Sequence, residues 1–195
     1  MSGMTFHEVM TGQLAKGVTD PRKGYRTRGS SGIALRARID IDDIAAFLTD
    51  THHRGNLNAA FEIPRWGAQH ATSKGDFNLF SPAGDRASLM IYEAPILLDG
   101  VEHWLRGVKR VEIAGPWRMW PATTTLLVEV RTAKGGAGVV VASGILRLNV
   151  LGLVASIATM RGTGVVWPLR HFAVVRYLTF FAWALVCTYI LRRRP

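Results

Sequence analysis

A chain of 195 residues is the size of one domain and long enough to bury a core without covalent staples. Lys and Arg outnumber Asp and Glu by 24 to 14, a formal charge of +10 that must answer to anionic lipid, to nucleic acid or to solubility alone. The single cysteine, Cys187, excludes an internal disulfide and reads as a buried thiol in a reducing compartment, while the N-terminus lacks the basic-then-apolar order of an export leader.

Residues 1–31 are rich in Gly, Ser, Thr and charge and are expected to wrap the domain, with Phe6, Val9, Met10 and Leu14 spaced for one short helix. From Ile33 the pattern is regular. Ile33, Leu35, Ala37, Ile39 and Ile41 alternate with polar or small residues, the period of a half-buried strand. Asp42 and Asp43 then cap a short helix carrying Ile44, Phe47 and Leu48. Further strands are expected over 56–63, 72–80, 87–98, 101–113, 123–131 and 138–149. Asp99-Gly100 and Gly135-Gly136 supply hairpin turns, and connections this short permit only antiparallel pairing. The fold class is therefore mainly β, an antiparallel meander closing into a barrel or half-barrel over 32–164, with a short helix after the first strand. The small residues Ala142 and Gly144 in the last strand leave room either for a bound molecule or for close backbone contact.

After Asn149 the period becomes helical, with a helix from Val150 to Met160 stopped at Gly162 and Gly164. Residues 165–195 form an apolar C-terminal helix with a basic tail, and Phe172 to Leu191 is long enough to span hydrocarbon except for Arg176. It would span a bilayer, lie on a membrane or another protein, or pack on the barrel. Arg192, Arg193 and Arg194, placed directly after the apolar run, favour the cytoplasmic side of the cell membrane, peripheral or single-pass.

Catalytic signatures are missing from the sequence. His7-Glu8 opens like a zinc-protease helix, but Thr11 stands where the second histidine is needed, and His52-His53 are adjacent and point apart. No phosphate-cradling loop, dinucleotide fingerprint or nucleophile elbow occurs, so no cofactor and no metal are expected. The polar residues Tyr92, Glu93, His103, Lys109 and Glu112 read first as satisfied cross-strand groups. Aromatic and basic residues interleave at Trp104-Leu-Arg106 and Trp117-Arg118-Met-Trp120, but Trp117, Met119, Trp120 and Pro121 fall in an expected loop, which suits a membrane interface or a pocket lid better than nucleic acid. A binding function would rest on Trp104, Trp117, Met119 and Trp120 at a mouth, with Tyr92 and His103 as orienting groups. Arg176, Trp183, Arg192, Arg193 and Arg194 would meet the membrane.

Phe6 to Gly12, Asp20-Pro21, Gly75 to Phe80, Met90 to Tyr92, Gly107 to Lys109, Trp120 to Leu126, Gly144 to Leu146 and Thr159 to Gly164 occur in an order that resembles the N-terminal β domain of actinobacterial GMC-type oxidoreductases related to cholesterol oxidase. Ala122 stands where that pattern carries an acidic residue. The resemblance implies an accessory domain, associated with sterol and lipid chemistry, whose flavin chemistry belongs to a separate portion. The resulting expectation is a non-catalytic lipid- or sterol-binding module held at a membrane. Alternatives are an interaction subunit docking on an oxidoreductase or membrane complex through the C-terminal helix, and an enzyme with an unfamiliar site.

Overall fold

The computed structural model describes residues 2–66, 68–164 and 167–193, with the side chains of 68–70 and 167–170 outside the description; Arg194 lies beyond it. Eight antiparallel strands form a closed ring: β1 (Gly3–Lys16), β2 (Ser31–Ile41), β3 (Arg54–Ile63), β4 (Ala68–Pro82), β5 (Ala87–Leu98), β6 (Val101–Glu112), β7 (Thr125–Arg131) and β8 (Val140–Arg147). The strands run in chain order, and β1 closes the barrel by pairing with both β2 and β8. Every wall strand thus has two partners, which removes the exposed edges of an open sheet. A ninth strand, β9 (Arg161–Thr163), pairs with the first residues of β1.

The wall follows from alternation. In β2 the residues Ile33, Leu35, Ala37, Ile39 and Ile41 are all buried, as the period of two requires. Asp99 and Gly100 both hold positive φ, 52° and 78°, and set a register in which Tyr92 faces Gly107 and Ile96 faces His103. Asp43 caps helix α2 (Ile44–Thr49), its carboxylate accepting from the amides of Ala45 and Ala46.

Three expectations need correction. Residues 3–16 are neither a wrapping arm nor a helix, because Met4, Phe6, Met10 and Leu14 point inward from an extended strand, with Glu8 and Gly12 at the inward positions between them. A carboxylate at an interior position hid the alternation. The segment 116–124 is not a loop but a 3-10 turn (Pro116–Arg118) followed by helix α3 (Met119–Thr124). Pro116 and Pro121 sit in the first turns of these elements, where their missing N–H groups cost little. The glycines after helix α4 (Val150–Ala158) do not simply end it, since Gly162 lies in β9.

The small residues of the last strand serve close contact. A Cβ added at Gly144 would fall against the carbonyl of Gln13, and one at Gly12 against the carbonyl of Ile145. Helix α1 (Pro21–Arg26) covers the outside of β8, where Gly24 lies against the carbonyl of Ser143.

The antiparallel order sends the β2–β3, β4–β5 and β6–β7 connections, and the chain leaving β8, out of one end of the barrel. There α2, α3 and α4 gather, and the last helix, α5 (Trp167–Tyr189), packs on α2, β1 and β9. It docks by one stripe, with Ala173, Tyr177, Ala184 and Thr188 buried and Phe180, Phe181 and Leu185 packed beside them. Tyr177 meets the rings of Phe6, Phe47 and Phe181, and Phe181 stacks on Phe80. Cys187 is buried on the same helix.

Gly144→Val should destabilise the fold by about 3 kcal/mol, because the added side chain meets backbone, which cannot step aside. Urea denaturation measures it. A loss below roughly 0.5 kcal/mol, the range of an ordinary surface change, would contradict the close approach of β1 and β8.

Candidate ligand-binding cavity

The barrel interior holds a polar bridge. Glu8 projects inward from β1 and Tyr92 from β5, four strands away in either direction around the ring, so the two side chains meet across the lumen. The Tyr92 hydroxyl donates to Glu8 Oε2 at 2.8 Å, and Lys109 Nζ on β6 donates to the Tyr92 oxygen at 3.1 Å. Lys109 Nζ also lies 3.5 Å from Glu8 Oε2. The side chains of Lys109 and Glu8 are 2% and 12% exposed, so this is a buried ion pair with a phenol wedged between its members.

Neighbours hold the phenol in place. Gly107, opposite Tyr92 in the ladder, has no side chain, and Leu126 occupies the space a Cβ would take. Phe77 presents its ring at an angle of 66° to that of Tyr92, with centroids 5.1 Å apart. Lys109 Nζ sits 4.9 Å from the Tyr92 ring centre. Burial, then the Glu8 carboxylate, push the Tyr92 phenol well above its ordinary value. The hydroxyl therefore remains a donor at any physiological pH.

Below the bridge the lumen is filled by side chains such as Leu35, Phe61, Ile96 and Val130. Above it, toward the helical end, is a partly open cavity of about 240 Å³, with Met119 and Trp120 at its rim exposed. Glu8, Tyr92 and Lys109 form its polar floor, and Phe77, Leu79 and Met90 its walls. Met119, Trp120, Thr123 and Thr124 of α3, Leu153 of α4, and Tyr177, Phe181 and Leu185 of α5 form its lid. An apolar chamber with a few convergent polar groups has the make-up of a small-molecule site, although its volume is below the roughly 300–1,000 Å³ of drug-sized pockets.

A larger, open depression beside α2 is lined by Asp40, Asp42, Asp43, Asp50, Asp76 and Glu93. Its carboxylates are engaged with the amides of α2 and the β2–β3 connection, with Asn56 and Asn58, and with Arg38, Lys134 and the amide of Gly135. Among the described residues no group of three or more His, Cys, Asp or Glu is arranged to hold a metal ion.

The expected site residues separate. Tyr92, Met119 and Trp120 all line the cavity. His103 sits at the opposite end of the barrel, near the Asp99-Gly100 hairpin, where its Nδ1 lies 3.0 Å from the Val101 carbonyl. Trp104 is on the outer wall, under Lys134 Nζ at 5.0 Å. Trp117, 75% exposed, stands outside the lid and not in it. On α5, Arg176 and Trp183 are on the exposed face, and the Arg193 guanidinium lies 5.9 Å from the Trp183 ring centre, with Arg192 beside it. Glu8 escaped sequence reasoning, because its inward placement is visible only once residues 3–16 are recognised as a strand.

Comparison with family models, with curated proteins and with solved structures finds no match to this chain.

Three of the four tyrosines hold raised pKa values: burial and then Glu8 lift Tyr177, while burial and then Glu112 lift Tyr189 to about 12. Each keeps its proton in the folded chain above pH 10, where the unfolded chain loses it, so the stability they contribute is full below pH 10 and falls as pH rises beyond it. The tyrosinate absorbance of these three should therefore appear together with loss of the β-sheet circular dichroism signal. Titration of all the tyrosines near pH 10 with the sheet intact would contradict the burial of the bridge.

Proposed function

We propose that this protein is a non-catalytic binding module that holds the end of a lipid, sterol or similar apolar molecule in its lid cavity, working at the anionic cytoplasmic face of a membrane. The observation that carries the reading is the largely apolar chamber with a charged pole, roofed by helices whose outer faces are themselves apolar. Trp117 beside α3, Leu151, Val154 and Ile157 on α4, and Phe172, Val175 and Trp183 on α5 are all exposed. A bilayer interface is a natural cover for such residues.

Charge supports the same orientation. From Val130 to Pro195 the chain has nine Lys or Arg and no Asp or Glu, so α4 and α5 carry no carboxylate to repel an anionic headgroup. His171–Tyr189 has the length and mean hydropathy, 1.5, of a spanning helix, a test that core helices also pass. Its buried stripe on Phe6, Phe47 and Phe80 favours a helix lying at the interface over one that crosses it. A molecule as large as a sterol would enter only in part, the remainder leaving past α3 toward the membrane.

A second reading keeps the fold and changes the partner. The exposed stripe of Phe172, Val175 and Trp183 could seat on another protein, and the resemblance to an oxidoreductase accessory domain makes a flavoprotein the natural choice. Removing α5 does not separate these readings cleanly, because it would strip Tyr177 and Ala184 from the barrel core.

Vesicle co-sedimentation of the full chain tests the proposal. Binding should be strong to vesicles containing phosphatidylglycerol, weak to pure phosphatidylcholine, and reduced by salt. Arg192→Glu with Arg193→Glu should weaken it by roughly tenfold or more, at about 1 kcal/mol for each basic group near the surface. Equal binding to both vesicle types, unchanged by the charge reversal, would remove the membrane from the account. A stoichiometric protein partner recovered without lipid would favour the second reading.

A further inference from the structure

We propose that the cavity selects an uncharged alcohol over a carboxylic acid, the hydroxyl head binding between Glu8 and Lys109; this rests on the cavity being the ligand site. The argument is one of charge and of unspent hydrogen bonds at the floor.

Glu8 and Lys109 carry opposite formal charges, are buried together and cancel. Tyr92 has spent its only proton on Glu8 Oε2 and accepts from Lys109, so it has no donor left for a ligand. Lys109 retains further N–H groups, and Glu8 a second oxygen, for which the described residues record no hydrogen bond. The floor therefore offers one donor and one acceptor side by side. A hydroxyl satisfies both, accepting from Lys109 and donating to Glu8.

Other head groups satisfy less. An ionised carboxylate would place a second negative charge against a single buried ammonium, with nothing to donate to Glu8. An ether or ketone would accept from Lys109 and leave Glu8 unpaired. The lid adds no competing donor from Thr123 or Thr124, since their hydroxyls donate to the carbonyls of Met119 and Trp120 within α3. Tyr177 and Trp120 also line the chamber and carry a hydroxyl and an indole N–H, but neither is charged, so discrimination by charge, and the one carboxylate acceptor, are concentrated at the floor.

The test uses the full chain, titrated by calorimetry with three probes of matched length: 1-octanol, octanoate and octyl methyl ether. Octanol should bind roughly tenfold or more tightly than either of the others, as expected of a site built to hydrogen-bond a hydroxyl. Glu8→Gln removes the negative charge and should reverse the order, with octanoate gaining at least roughly tenfold from the uncompensated Lys109. Leu153→Trp, which fills the cavity, should abolish binding of all three.

Octanoate binding as tightly as octanol to the unaltered protein would overturn the proposal, and so would equal binding of octanol and the ether. Octanol binding that survives Leu153→Trp would place the site elsewhere and also overturn it. If Glu8→Gln does not fold, the ranking of the three probes on the unaltered protein decides alone. Failure of all three probes to bind would instead remove the cavity as a ligand site, and with it the reading on which this inference rests.

Discussion

Burying an ammonium and a carboxylate costs several kcal/mol for each ion unless attraction and hydrogen bonds recover it, and this barrel places that cost at the centre of its lumen. Glu8 on β1 and Lys109 on β6 recover it through the Tyr92 hydroxyl, which donates to one and accepts from the other. The bridge requires β1 and β5 to stand opposite each other, which a closed eight-stranded ring provides and an open sheet of the same strands would not. It also divides the interior. Apolar side chains fill the lumen below it, and above it a chamber with a polar floor faces the helices.

The lid is made by elements that share one end of the barrel because antiparallel connectivity alternates ends. Helices α3, α4 and α5 turn Thr124, Leu153 and Phe181 to the chamber, with Trp120 at its rim 43% exposed, while Trp117 in the preceding 3-10 turn, Leu151 and Trp183 stay outside. A helix apolar on both faces has two partners to find. Here the inner partner is the barrel and its chamber, and under the proposed function the outer face, free of carboxylates on α4 and α5, meets an anionic interface.

What the sequence made legible was local. The apolar pattern located β2 through β8 to within about two residues, except that β4 begins four residues earlier than expected; the Asp99-Gly100 pair set the register of β5 on β6, and Asp43 announced α2. What it hid depended on distant partners. Glu8 interrupts the apolar period of β1, and only the arrival of Tyr92 and Lys109 from the far side of the ring explains a carboxylate there. Strand β9 is three residues long and exists because β1 extends past β8. Of the candidate site, Tyr92, Met119 and Trp120 converge because one is inward on β5 and the others lie on the β6–β7 connection at the same end. His103 shares the inward face of Tyr92 but its ladder pair with Ile96 lies four residues further along each strand, too far to meet it.

A double-mutant cycle on Glu8 and Lys109 measures the central interaction directly. Glu8→Gln and Lys109→Met should each destabilise the protein by about 3 kcal/mol, because either change strands the other charge in the lumen. The double variant should recover a large part of that loss, giving a coupling of about 1.5 kcal/mol or more by urea denaturation. Additive losses, with no coupling between the two sites, would mean that these groups do not meet across the barrel and that the chamber has no floor of the kind described.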